Sequence, residues 1–267
     1  MRSIVLEVSI MADRKLKIDI RRNAILQKLR QVGRVTVSQL SAEFGATEVT
    51  IRNDLSALEQ DGYLMRVQGG AILAHVSQND TNADRNIPFY AQKTAIAEAV
   101  SNMIQDGDTL FINSGTTTAC VANALKKRQN IKIVTNSLAV ATALGDSSNL
   151  RVTLLGGDIN ARYGFTYGGI AQELLSTFQA NWAILSVDGI SPTGGITTYH
   201  AEEAILDRMM IEGASHTLIV ADSTKIGRVG FSRVCDCLAG ITLVTNAHNA
   251  SENEPQLTES GVQIILA

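Results

Sequence analysis

The run Phe111-Ile112-Asn113-Ser114-Gly115-Thr116-Thr117-Thr118 has the residue types of an anion cradle. An apolar strand runs into a turn of small residues, and helix-compatible sequence follows. At such a junction the first backbone N–H groups of the helix lack partners, hydroxyls stand beside them, and the helix dipole favours negative charge. The turn is not a Walker loop, because no Gly-Lys-Ser/Thr follows at the required spacing, and no Gly-x-Gly-x-x-Gly opens any helix. Further polar groups fall at or just after strand-like runs: Thr135-Asn136, Gly156-Gly157, Asp188-Gly189 and Asp222-Ser223-Thr224-Lys225. Each alone is an ordinary turn. Repeated at one edge of an open α/β sheet, where such sheets bind ligands, they indicate a pocket in which Lys225 can meet a phosphate or a hydroxyl.

Other chemistries fail on spacing. Cys235-x-Cys237 has no second ligand pair, and His248 nearby is not enough for zinc. His75 and His216 stand apart, whereas His200 lies close to Glu203. There is no Gly-x-Ser-x-Gly elbow, and Trp182 leads into an apolar strand as a core residue. No metal, cofactor or catalytic residue is expected.

A second candidate surface lies near the start of the chain. Thr47 can cap a helix running to about Gln60, on which Ile51, Leu55 and Leu58 share one face. Val49, Arg52, Asn53 and Ser56 point the other way, with Thr50 to one side. Arg and Asn are the side chains that read guanine and adenine edges bidentately. In a helix–turn–helix, the exposed residues near this helix's start enter the major groove. Asp54, a carboxylate that would repel phosphate, is expected to serve packing or capping.

The elements around these residues follow from periodicity. Ala24, Ile25, Leu29 and Val32 mark a helix over Ile20–Val32, stopped by Gly33. Val35-Thr36-Val37 is a brief strand, and Ser38 caps a helix that Gly45 ends. After the Asp61-Gly62 turn, Tyr63–Val67 and Ala71–Ala74 form a hairpin around Gln68-Gly69-Gly70. These pieces make a winged helix–turn–helix over residues 14–74. Residues 75–88 are polar and unpatterned, a linker. From residue 89 on, a helix over Tyr90–Met103 precedes apolar runs at Thr109–Ile112, Lys132–Thr135, Val152–Leu155, Ala183–Val187, Leu218–Ala221, Ile241–Val244 and Val262–Leu266. Helices over Thr117–Leu125, Leu138–Leu144, Ile170–Thr177 and Glu202–Ser215 alternate with them. Throughout-apolar strands alternating with helices predict an α/β domain with a mostly parallel sheet covered on both faces.

Composition agrees with this division. The chain has 267 residues, 45% hydrophobic and 18% charged, which excludes a disordered or fibrous protein. No stretch approaches the ~18 consecutive apolar residues of a membrane span. Residues 1–10 are too short and too interrupted for a leader, and Met11 offers a second start. Three cysteines suit a reducing cytoplasm. The net charge of -3 conceals an asymmetry: residues 1–70 carry 11 Lys and Arg against 8 Asp and Glu, the remainder 12 against 18. A basic head on an acidic body suits an anionic partner at one end. Arg21 and Arg22 on the first helix and Arg66 beside Gly69 on the wing are expected to face it.

The motif Thr47-Glu48-Val49-Thr50-Ile51-Arg52-Asn53-Asp54-Leu55, followed by Leu58-Glu59, Gly62 and Arg66-x-x-Gly69-Gly70-Ala71, resembles the signature of the DeoR family of bacterial transcriptional regulators. The likeness extends from about Arg14 to Ala267. It implies a repressor of a carbohydrate operon that binds operator DNA and is released by a phosphorylated sugar. It also implies a sensor half similar to sugar-phosphate isomerases and deaminases, and a homo-oligomer, dimer or tetramer, matched to two-fold operators. Family positions for the effector match Ser114–Thr118, Asn136, Gly156, Gly157, Gly168, Asp188, Gly189, Glu203 and Asp222 through Lys225. Two positions depart from it: Asn113 stands where members commonly have Asp, and Asp207 where many have Lys. A second reading, an isomerase or deaminase carrying a DNA-binding head, would draw its base from Asp188, Glu203 or Asp222.

Overall fold

The computed structural model describes residues 18–29, 32, 34–60, 63–67, 69–73, 89–246 and 253–267. The chain separates into two compact units, Met1–Pro88 and Phe89–Ala267. The expected linker, the Asp61-Gly62 turn and both candidate start sites lie outside the described residues.

In the first unit, α1 covers residues 18–29. It is followed by β1 (Arg34–Thr36), α2 (Val37–Phe44), α3 (Glu48–Gln60), β2 (Leu64–Val67) and β3 (Gly70–Leu73). Ile25, Leu26 and Leu29 of α1, Leu40 of α2, and Ile51, Leu55 and Leu58 of α3 are all buried, so three helices share one apolar centre. Val32 is 57% exposed, so the buried stripe of the first helix ends at Leu29 rather than where the spacing placed it. The cap of α2 is Thr36, not Ser38. Its hydroxyl accepts from the Gln39 N–H while the Gln39 side chain accepts from the Thr36 N–H. For α3 the expected cap is in place, with Thr47 Oγ1 accepting from the Thr50 N–H at 3.2 Å. The wing is a three-stranded antiparallel sheet in the order β1-β3-β2.

The second unit begins with α4 (Tyr90–Met103), β4 (Thr109–Ile112), α5 (Thr116–Leu125), β5 (Ile131–Thr135), α6 (Leu138–Leu144) and β6 (Leu150–Leu154). A hairpin of β7 (Asp158–Asn160) and β8 (Phe165–Tyr167) leads to α7 (Gly169–Ser176), β9 (Ala180–Ser186), β10 (Gly189–Ser191) and β11 (Gly195–Thr198). Then come α8 (Ala201–Glu212), β12 (Ala214–Val220), β13 (Ser232–Cys235), β14 (Ile241–Thr245), α9 (Asn253–Glu259) and β15 (Gln263–Leu266). Seven strands form one sheet, β15-β14-β12-β9-β4-β5-β6, in which every neighbouring pair is parallel. Successive residues of a strand feed opposite faces. Leu110 and Ile112 join α4, α5 and α6 in one core, whereas Phe111 joins α7, α8 and α9 in the other. No helix among the described residues is long and apolar enough to cross a membrane.

Because each face of this sheet has its own buried core, a fragment of residues 89–267 is expected to fold alone. Its thermal unfolding, followed by circular dichroism, should be a single cooperative transition. A featureless melt would mean that the fold needs the preceding unit.

Candidate functional site

The order of the sheet fixes where a ligand can sit. The chain adds β5 and β6 on one side of β4, then crosses to β9 and builds outward through β12, β14 and β15. The switch point therefore lies between the C-terminal ends of β4 and β9, where open α/β sheets form their crevice. Asn113, just after β4, is fully buried and clamps this point. Its amide donates to the Ser186 carbonyl at 2.9 Å, and its oxygen accepts the Ser186 N–H at 2.9 Å. The same amide donates to Asp207 Oδ1 at 3.0 Å, so the two positions that depart from the family pattern meet as one buried pair.

Above this clamp, Ser114 and Gly115 turn into α5. Thr117 and Thr118 are buried, and the Thr118 hydroxyl donates to the Gly115 carbonyl at 3.0 Å, leaving the exposed Thr116 at the helix start. A Cβ on Gly115 would stand 2.6 Å from the Ser186 Cβ. Packing between the two strand ends therefore requires glycine here, whatever ligand approaches. Lys93, which sequence reading passed over, reaches the same point: it is buried on α4, and its ammonium donates to Thr116 Oγ1 at 2.9 Å. Its signal was present, since position 93 falls on the stripe with Ile96, Ala97 and Val100, where a lysine is out of place.

The acidic end is as compact. Asp188 Oδ2 accepts from the Thr198 hydroxyl at 3.0 Å and the Tyr199 N–H at 2.9 Å, and its other oxygen lies 3.8 Å from Lys225 Nζ. Glu203, in the first turn of α8, is buried and accepts from Thr198 at 3.4 Å. Burial, with Asp207 and Asp188 nearby, holds its carboxyl well above the usual range. Burial also pushes Asp207 up to about 8, against the Asn113 hydrogen bond and reinforced by Asp188. His200 begins α8 with its ring tilted against Tyr163 at 4.3 Å and Phe165 at 5.4 Å between centroids.

Not every expected position joins the crevice. Asp222 Oδ1 accepts from the Thr224 N–H at 3.0 Å and from its hydroxyl, so this carboxylate holds the short turn that presents Lys225. Asn136, after β5, donates to the Thr166 carbonyl at 3.3 Å and ties the β7–β8 hairpin to the sheet. Gly156 and Gly157 follow the edge strand β6, two strands from the switch point. Gly157 has φ 132°, and a Cβ there would meet the Tyr167 carbonyl at 2.4 Å, which makes it a hairpin residue. Gly168 caps α7.

The raised carboxyls have a consequence for stability. An unfolded Asp207 loses its proton near 3.8 and the folded one near 8, so between these values the native state binds the extra proton. Stability then falls as pH rises across that window. Asp207→Asn is expected to flatten the slope by up to about 1 kcal/mol per pH unit. Thermal melts between pH 5 and 8 check this, and identical slopes in both proteins would contradict it.

In the first unit, Arg52 and Asn53 are exposed on α3, and Arg52 pairs with Glu48 at 3.0 Å. Asp54 is buried, and Arg21 and Arg22 both close on it at 2.6 and 3.1 Å. Both arginines thereby tie α1 to α3, a role beyond the phosphate contact expected of them. Arg66 is similarly engaged, with its N–H on Glu59 at 2.7 Å and its guanidinium on Ser56 at 2.8 Å, and Gly69 forms the exposed wing tip.

A winged helix–turn–helix with exposed polar residues on its third helix, followed by a parallel α/β unit, is the architecture of a DNA-binding regulator with a second, sensor-type domain. The sequence matches the DeoR-like helix-turn-helix domain over residues 21–77 and the DeoR C terminal sensor domain over residues 89–247. The chain belongs to the DeoR family. It is 35% identical over 208 residues to the glycerol-3-phosphate regulon repressor of Escherichia coli (strain K12), covering 78% of this chain and 82% of that protein. It is 30% identical over 244 residues to the HTH-type transcriptional repressor GlcR of Bacillus subtilis (strain 168), covering 91% and 94%. Ribose 5-phosphate isomerase A of Methanocaldococcus jannaschii overlaps 50% of this chain and 53% of its own, at 12% identity and TM-score 0.38, too slight a likeness to argue from.

Proposed function

We propose that this protein is a cytoplasmic repressor of a carbohydrate operon, that α3 reads operator DNA, and that a phosphorylated sugar bound in the β4–β9 crevice releases it. The observation that supports the reading is the Asn113 clamp on the Ser186 backbone, which joins the strand leading into α5 to the strand leading to Asp188. The start of α5 with Lys93 suits a phosphate dianion, while Asp188 and Lys225 suit sugar hydroxyls. Two-fold operators call for a homo-oligomer, dimer or tetramer. An isomerase role is less well supported, because Asp188 is engaged by Thr198 and Tyr199 at the end of β11, Asp222 by its own turn, and Glu203 sits in a cluster that favours its protonated form.

The test is operator release. The protein is bound to a fluorescent fragment of the DNA upstream of its own gene, then titrated with glycerol 3-phosphate, hexose 6-phosphates, amino-sugar 6-phosphates and their unphosphorylated parents. Release by at least one phosphorylated compound and by none of the parents is expected. Release by a free sugar would move the phosphate out of the reading, and interconversion of the sugar phosphates during the titration would favour the enzyme.

A further inference from the structure

We propose that the neighbouring buried carboxyls of Glu203 and Asp207 both keep their protons at neutral pH, and that Asp207 thereby acts as a positioning residue that lets the crevice accept a dianion. The inference rests on the crevice being the anion site and adds the reason why an acidic floor does not repel its ligand.

The geometry gives Asp207 no means of staying ionised. It is 0% exposed, one oxygen has a single neutral donor, the Asn113 amide, and Oδ2 has no hydrogen-bond partner among the described residues. A carboxylate in that setting keeps neither hydration nor a counter-charge. The charged groups facing it are acids: Asp188 after β9, and Glu203 one turn earlier on α8.

The nearby cations are directed elsewhere. Lys225 stands against Asp188, and Arg208, next along α8, donates to the Val234 and Arg233 carbonyls of β13. Arg233 of β13 pairs with Asp236 at 2.7 Å at the surface. Of the remaining titratable groups on the neighbouring elements, Glu202 of α8 and Glu173 of α7 are exposed, and His216 of β12 stacks on Trp182. Cys235 of β13 directs its thiol to the Cys237 carbonyl, and Tyr167 of β8 packs against Phe165. Two interacting acids without a cation titrate as a unit, the first deprotonation opposing the second. Burial and Asp188 place the departure of the Asp207 proton near 8, in agreement with the contacts.

The proton matters to the ligand because Asn113 bridges the pair to the switch point. Its amide donates both to Asp207 and to the Ser186 carbonyl, directly below the turn that opens α5. Ionised, the pair would place an uncompensated buried charge beneath a site meant for a dianion, where low dielectric strengthens the repulsion. Neutral, it leaves the clamp in place and adds no field.

The experiment uses sulfate, whose charge is constant from pH 6.5 to 9.0, so that the ligand contributes no titration of its own. Binding to the full chain is measured by calorimetry at both pH values, for wild type and for Asp207→Asn, which keeps the Asn113 acceptor. The side-chain carboxyl of Asp207 is followed by carbon-13 NMR without ligand. Wild type should bind sulfate about tenfold more weakly at pH 9.0, Asp207→Asn should change less than twofold, and the Asp207 signal should titrate near 8. Sulfate binding with the same pH dependence in both proteins overturns the coupling alone, and an Asp207 signal that titrates below about pH 6 overturns the protonated pair. No sulfate binding at any pH, with Asp207 still titrating near 8, overturns the coupling together with the crevice as an anion site.

Discussion

Replacing Arg52 by Ala is expected to lower specific operator affinity by about 1–3 kcal/mol, five- to more than hundredfold, while changing non-specific binding far less. Arg52 is exposed near the start of α3, and its ion-pair partner, Glu48, is an exposed neighbour one turn away. Exposed pairs of that kind are worth a fraction of a kcal/mol, so handing the guanidinium to a base edge costs little. Asp54→Ala separates reading from folding. It would leave Arg21 and Arg22 without the carboxylate that joins α1 to α3, and breaking a buried pair costs about 3–5 kcal/mol. That variant should lose specific and non-specific binding together and melt earlier, whereas Arg52→Ala should melt like wild type. Anisotropy with operator and with scrambled DNA, alongside thermal melts, distinguishes the two. Equal loss on both DNAs from Arg52→Ala would show that α3 presents a different face.

The same contacts explain what the sequence did and did not make legible. Local signals were strong in the head: Thr47 caps α3 through the Thr50 N–H as its spacing demanded, and Ile51, Leu55 and Leu58 are buried together. Ser38 and Thr36 are both acceptable caps, and only the Gln39 side chain returning to the Thr36 N–H decides between them. The inner parallel strands were visible because both of their faces are covered and their residues are mainly apolar. The β7–β8 hairpin and the β10-β11-β13 sheet were not, because those strands have three or four residues, too few for a period to declare itself.

The site was legible where chemistry is local, and hidden where it is made by long-range packing. Ser114 through Thr118 announce a helix start within one segment. Ser186 lies 73 residues from Asn113 and Asp207 lies 94 away, so no spacing could reveal that all three meet. Asp222 has a local role that its spacing does show. A carboxylate two residues before a threonine serves its own turn as readily as a ligand, and here it does the former.

Replacing Lys225 by Ala is expected to lock repression on. Lys225 is buried beside Asp188, and the turn that carries it is held by Asp222 rather than by the lysine, so its removal should not collapse the loop. Asp188 keeps two donors on its other oxygen, the Thr198 hydroxyl and the Tyr199 N–H, which hold its geometry once the ammonium is gone. Gly115→Val, which also bears on the crevice, is a poorer probe, because its Cβ would drive into Ser186 and disturb β9 before any ligand arrived. A charge-assisted contact is worth about 1.5–3 kcal/mol, so the releasing sugar phosphate should be needed at roughly ten- to hundredfold higher concentration. An effector shifts the DNA-competent state only through its different affinity for the two conformations, so weakening its contact without altering the head lowers induction alone. Operator affinity without ligand should stay within about 1 kcal/mol of wild type, as for sites that share no partners. Lys93→Ala, at the phosphate end, should give the same phenotype by a separate contact. Operator binding titrated with the sugar phosphate that releases wild type measures both variants. Release at wild-type concentrations from both would place the effector outside the β4–β9 crevice, because neither buried cation could then be contacting it.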